Sequence, residues 1–371
     1  MKSWLRRGIR VVLVGFVLLL IAICTEIAVG WRCSLKGQVH PPIPSPAERK
    51  SATAQIKDYP RPEDDTLLSY PEWYIVWSYQ EKADFQQAHL PSGFPYLGAV
   101  RQYWSSYCCI SRLIRGKYPF NAGEQVMLVV IGTSFSAEYI LKGAYENTFG
   151  KLSEWTSGGE ATEEDRFAYR VAREYADFVH IRPFYEFQFA RQVPALWKET
   201  SLLGAHWLRK WERKLFFTVD YAIEALYCEF IEKMTHLTYG SEPNVTYIWL
   251  DSAGAAETNQ SAEVKLIRQV GPAGWIAEVP RYQEFTTVAS ALASQGAHFV
   301  EIAGNSQILI SLLAPPDWVN DRADAQQLFS TPVLTDLERQ RVVLRCDVPT
   351  LSHVLNEFAR GRLTLEHVYD Y

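Results

Sequence analysis

The chain has 371 residues, 48% of them hydrophobic and 21% charged, which is enough apolar mass for two packed cores and far too much for a disordered chain. A formal net charge of −5, with no Lys/Arg stripe interleaved with aromatics, excludes nucleic acid as the expected partner. The 12 Trp, 20 Tyr and 18 Phe point to thick aromatic packing or to an apolar partner.

The first 31 residues, MKSWLRRGIRVVLVGFVLLLIAICTEIAVGW, place Lys2, Arg6, Arg7 and Arg10 before an unbroken apolar run from Val11 to Cys24. From Ile9 to Trp31 the segment is long enough to cross a bilayer, although Thr25 and Glu26 blunt its far end. It reads as a single-pass signal anchor over residues 1–31, in contact with membrane lipid. The basic excess before it puts the N-terminus in the cytoplasm and the body on the opposite side, which is periplasmic in a bacterium. A cleaved signal peptide is the competing reading, because Ala28-Val29-Gly30 offers small residues to a peptidase. Bulky Ile23 before Cys24 argues against lipoprotein processing. An exported body could oxidise its five cysteines, Cys33, Cys108, Cys109, Cys228 and Cys346, whose spacing forms no metal motif.

Residues 32–65 are rich in proline and charge and read as a linker. Ser69-Tyr-Pro-Glu72 then has the form of a capping box that opens a helix, EWYIVWSYQEKADFQQA, aromatic on nearly every side. Either protein or lipid must cover it. Helical periodicity continues at about 97–115, 122–153, 162–179, 183–211 and 215–238, with Thr162-Glu-Glu-Asp165 as a clean start. Residues 66–240 are therefore expected to be an all-α domain.

After Pro243 the period shortens. KLIRQV and WIAEVP read as a hairpin, QEFTTVASALASQ as a helix, and HFVEIAG and QILISLLAP as strands; RVVLRCDVP, TLSHVLNEFARG and LTLEHVYDY repeat strand, helix, strand. Glu278-Val-Pro280 and Asp347-Val-Pro349 end equivalent strands, and His298 and His367 each follow 18 residues beyond the proline. Residues 243–371 are expected to be a ferredoxin-like α+β sandwich of two split β-α-β units, an appendage suited to a protein partner or a homodimer.

The chemistry-bearing positions are few. On a helical wheel Glu138 shares a stripe with Met127, Ile131, Ser134, Leu141, Tyr145, Phe149 and Leu152, so its carboxylate must be protonated or paired. In LFFTVDYAIEALYCEFIEKMTH, Val219, Ile223, Leu226, Phe230 and Met234 form the apolar stripe, Glu229, Glu232 and His236 the polar face, and Asp220 and Glu224 sit at the edge, where they could meet Glu138. His180 and Glu186 crowd a proline break. These five, Glu138, Asp220, Glu224, His180 and Glu186, are the candidate acid/base set, with no cofactor specified. Neither a Glu-x-x-His pair, a His-Glu-x-x-His, a nucleotide loop nor a G-x-S-x-G elbow is present. The expected function is binding or assembly at the membrane surface, through an apolar ligand, lipid or protein partner; the alternative is an enzyme with a buried carboxylate site acting on a hydrophobic substrate.

Overall fold

A computed structural model describes residues 2–31, 61–62, 64–238, 244–251, 263–270, 274–360 and 363–371. Almost all of the expected linker, and the expected domain boundary at 239–243, lie outside the described residues. The chain is mixed, with long helices in its first two thirds and two four-stranded antiparallel sheets in the last.

Helix α1, Lys2–Gly30, is the apolar N-terminal segment, long and apolar enough by composition to cross a membrane. Helix α2 (Asp65–Ala88) begins four residues before the expected capping box. Ser69 turns its hydroxyl back to the Thr66 carbonyl at 3.0 Å, and Pro71 is carried within the helix. Helices α3 (Tyr96–Ile114) and α4 (Ala122–Tyr145) follow the expected periodicity closely. A π-turn, Glu146–Gly150, joins α4 to α5 (Lys151–Thr156). Helix α6 (Glu163–Val179) starts on the expected Thr162–Asp165 capping box, both halves of which are formed. The helix expected over 183–211 is instead divided. Helix α7 spans Phe189–Glu199 and α8 runs unbroken from Trp207 to Thr238, because Gly204 (φ 139°) and His206 (φ 58°) turn the chain between them.

The C-terminal third contains β1 (Val245–Leu250), β2 (Lys265–Val270), β3 (Gly274–Pro280), α9 (Tyr282–Ser294) and β4 (Phe299–Ile302). The same series returns as β5 (Gln307–Ala314), β6 (Ala325–Val333), β7 (Asp336–Asp347), α10 (Leu351–Arg360) and β8 (Thr364–Val368). Strand order is β2-β3-β1-β4 in one sheet and β6-β7-β5-β8 in the other, so each unit repeats second, third, first, fourth. Strands β1 and β6 were not expected from the sequence. The β-branched and aromatic residues of β1, VTYIWL, were a legible strand signal that was missed, whereas β6 carries Gln326, Gln327 and Pro332, which dilute the signal until β7 pairs with it along its length.

Protein covers the aromatic helix α2. Tyr70 meets Phe329 and Tyr369, Trp73 stacks on His367, and the Arg341 guanidinium lies 4.4 Å from the Trp77 ring centre. Tyr70, Trp73, Trp77, Phe329 and Tyr369, with residues of α3, α4 and both sheets, belong to one continuous buried cluster.

Candidate functional site

Helix α4 does not pack on the stripe centred at Glu138. Its buried positions include Leu128, Gly132, Phe135, Ser136, Tyr139 and Gly143, about 60° to 160° around the helix from Glu138. The two glycines decide this: Tyr103 lies against Gly132, and a Cβ on Gly143 would stand 2.8 Å from Tyr96. Aromatics of α3 fill that smooth side, so Leu141, Val129 and Val130 face outward instead. Glu138 is left on the flank that meets α8.

There three of the five expected acid/base residues converge. Lys142 Nζ stands 2.9 Å from Glu138 Oε1, 3.1 Å from Asp220 Oδ1 and 3.1 Å from Glu224 Oε1. The Tyr79 hydroxyl donates to the other Glu138 oxygen at 2.6 Å. The spacing explains the meeting: Glu138 and Lys142 are four apart on one helix, Asp220 and Glu224 four apart on the facing one, so each pair shares a face. Every member is more than four-fifths buried, and the lysine is the hub. Removing it would leave three carboxylates facing one another out of reach of bulk water.

A second ionic cluster lies one to three turns away along α8. Arg209, Lys210, Arg213 and Lys214 are all buried. Arg209 donates to Asp165 at 2.8 and 3.2 Å and to Ser153 at 2.8 Å; Arg213 donates to Glu146 at 2.7 Å and to Glu212 at 2.6 and 2.7 Å. Lys210 and Lys214 both stand 3.4 Å from the fully buried Glu164, and Lys214 also donates to the Thr200 hydroxyl at 2.6 Å. The π-turn serves this cluster: it brings the Glu146 carboxylate over Gly150, where a Cβ would collide with it and come within 3.1 Å of Arg213. The run RKWERK, placed here by its i, i+1, i+4, i+5 spacing, was the overlooked signal, because a helix expected to stop at 211 hides that its four cations share one face.

His180 and Glu186 lie elsewhere. His180 hydrogen-bonds the Ala176 carbonyl at 2.7 Å and sits edge-on to Trp73, while Glu186 pairs at 3.7 Å with Arg182, both well exposed. On the other side of Trp73 is His367, fully buried, its Nδ1 2.9 Å from the Thr286 hydroxyl. Burial and, to a lesser degree, the nearby His180 hold the His367 imidazole well below its ordinary pKa, so it is neutral. Arg341, also buried, takes Glu366 at 2.6 and 2.8 Å and Glu81 of α2 at 3.0 Å, tying the helices to the second sheet.

Among the described residues no three His, Cys, Asp or Glu side chains are disposed to hold a metal ion. Comparison with family models, curated proteins and solved structures gives no match.

Proposed function

We propose that the chain is a membrane-anchored protein whose body, outside the cytoplasm, serves binding or assembly at the membrane surface. The observation that carries this reading is the way α1 is fastened to the body. Glu26, the residue that blunted the apolar run, is buried against Arg101, which donates to it at 2.6 and 3.2 Å. Thr25 donates to the Ile21 carbonyl and so costs the helix nothing in polarity. Gly30 is pressed so close to α3 that a Cβ would lie 2.8 Å from the Arg101 carbonyl and from Trp104. A segment to be discarded has no need of such a joint, and this favours the anchor over a cleaved signal peptide. An exported body fits the disulfide at Cys109.

For the C-terminal part we infer a pairing module related to the ferredoxin-like sandwich. Its support is the split β-α-β in each unit: β3 and β4 flank β1, and β7 and β8 flank β5, with a helix in the crossover. The enzyme alternative has less support, because Glu138, Asp220 and Glu224 are spent on Lys142, and His180 and Glu186 stand apart from them.

Elemental analysis of the full-length chain, purified in detergent without chelator, separates the two. The binding reading expects metal at background and Glu138→Gln to alter stability alone. Near-stoichiometric iron, manganese or zinc that vanishes in Glu138→Gln would put the enzyme in its place.

A further inference from the structure

The reading above gives the bilayer one helix. Two more present faces that no described residue covers. On α8 every exposed side chain from Trp207 to Leu226 is apolar, including Leu208, Leu215, Val219, Ile223 and Leu226. The first exposed charges come at Glu229, Glu232 and Lys233, of which Glu229 and Lys233 pair at 2.6 Å. On α4 the exposed positions from Val126 to Ala144 are likewise all apolar, and the π-turn and α5 that continue it expose Phe149, Leu152 and Trp155 together with the polar Asn147, Thr148 and Lys151. The stripes expected to be core are thus the outside of the molecule.

Side-chain contacts fix how these helices lie beside α1. Gly30 abuts Trp104, whose indole donates to Ser136 of α4, so α1 joins the bundle near the middle of α4. Glu26 lies at Arg101, toward the start of α3, and Tyr96 at that start meets Gly143. Going back along α1 therefore means going forward along α4. Helix α8 opposes α4 in the same sense, with Asp220 and Glu224 at Lys142, Phe216 stacked on Tyr145 at 4.1 Å, and Arg209 at Ser153. Helix α8 and the stretch of α4 and α5 from Ser136 to Trp155 therefore lie beside α1 in one slab, whereas Val126, Val129 and Val130 lie beyond the Trp31 end of α1. At 1.5 Å per residue the uncharged face of α8 is about 30 Å long, the thickness of a hydrocarbon core. At one end stand Arg10 of α1 and Lys151 of α5 with the exposed rings of Trp155 and Trp207; at the other stand Trp31, Glu229 and Lys233. Helix α6, packed on α2 and α8, exposes Arg170, Arg173, Glu174 and Asp177, a charged face unsuited to lipid.

We propose that the outer face of α8 and that of α4 from Leu141 onward lie against the acyl chains of the bilayer at the depth of α1, making the helical part of the body a membrane-embedded wall. The inference rests on the membrane reading of α1 and revises its corollary: Lys151, Trp155 and Trp207 stand at the Arg10 end, so the helical part crosses the bilayer and does not lie wholly outside the cytoplasm. The charge clusters around Lys142 and Arg213 then line the inner side of that wall, where ionisable groups survive only by pairing.

The test is nitroxide accessibility in the full-length chain reconstituted into phosphatidylcholine vesicles. With Cys24, the exposed free thiol, replaced by serine, single probes are placed at Val17→Cys, Leu141→Cys, Ile223→Cys and Asp177→Cys. The expected result is that 17, 141 and 223 collide with oxygen and are shielded at least tenfold from a water-soluble nickel chelate relative to 177. Chelate access at 141 and 223 with 17 still shielded would overturn this inference and leave the anchor standing. Shielding of 141 and 223 from both quenchers would mean that protein, such as a second copy, covers the face, and would also overturn it. Chelate access at 17 would remove the anchor reading itself, and this one with it.

Discussion

Lys142 is the residue on which most depends. Three carboxylates surround the Lys142 ammonium, with Lys82 a second cation near enough to act on them, and removing Lys142 takes away the partner that each contacts directly. Lys142→Met is expected to cost about 3 kcal/mol of stability, read by thermal or denaturant unfolding in detergent; a loss under 1 kcal/mol would show that the acids find other partners. Two further residues set opposite responses to pH. His367 is neutral and buried, its folded pKa well below the ordinary 6.5, so its contribution is complete above pH 6.5 and is lost as the pH falls below it. Asp65 is pushed up to about 7, first by burial and then by the neighbouring Glu124 and Asp64 carboxylates. The folded chain therefore holds that proton more tightly than the unfolded one, and stability falls as the pH rises from about 4 to 7. Melting temperature across pH 4 to 8 checks both: His367→Asn should flatten the loss on the acid side and Asp65→Asn the fall toward neutrality, and a profile unchanged in either variant would refute that assignment.

At the scale of elements, the apolar faces were legible and their destinations were not. Periodicity found α3, α4, α6 and the repeated strand-helix-strand segments, and it placed Asp220 and Glu224 where they could reach Glu138. It could not tell which side of α4 meets protein, because that is decided by Gly132 and Gly143, whose missing side chains admit Tyr103 and Tyr96. Likewise Val219, Ile223 and Leu226 make an apolar stripe whether water, protein or lipid lies opposite. Strand β6 was hidden by its glutamines, and the RKWERK cluster by a misplaced helix end. The joint between α1 and α3 makes a sharp prediction at this scale. Gly30→Leu must push α1 off Arg101 and Trp104 and is expected to destabilise the body by about 1–3 kcal/mol, whereas Gly15→Leu, with nothing within 4 Å, is neutral. Equal melting temperatures for the two variants would show that the body does not hold α1.

At the scale of the whole molecule, one apolar helix, two apolar helix faces and a doubled antiparallel unit have to be reconciled with a single compartment. The proposed membrane-held chain would do this, with the disulfide-bonded Cys109 toward the Trp31 end of α1 and the basic residues at the opposite end. Alkylation of the denatured chain should leave Cys109 unmodified until it is reduced; modification before reduction would place the body in a reducing compartment. The most direct test of the account is the intact mass of the protein recovered from alkaline-washed membranes. The account predicts a membrane-retained chain that still carries residues 1–31, and a soluble chain shortened at or near Gly30 would contradict it.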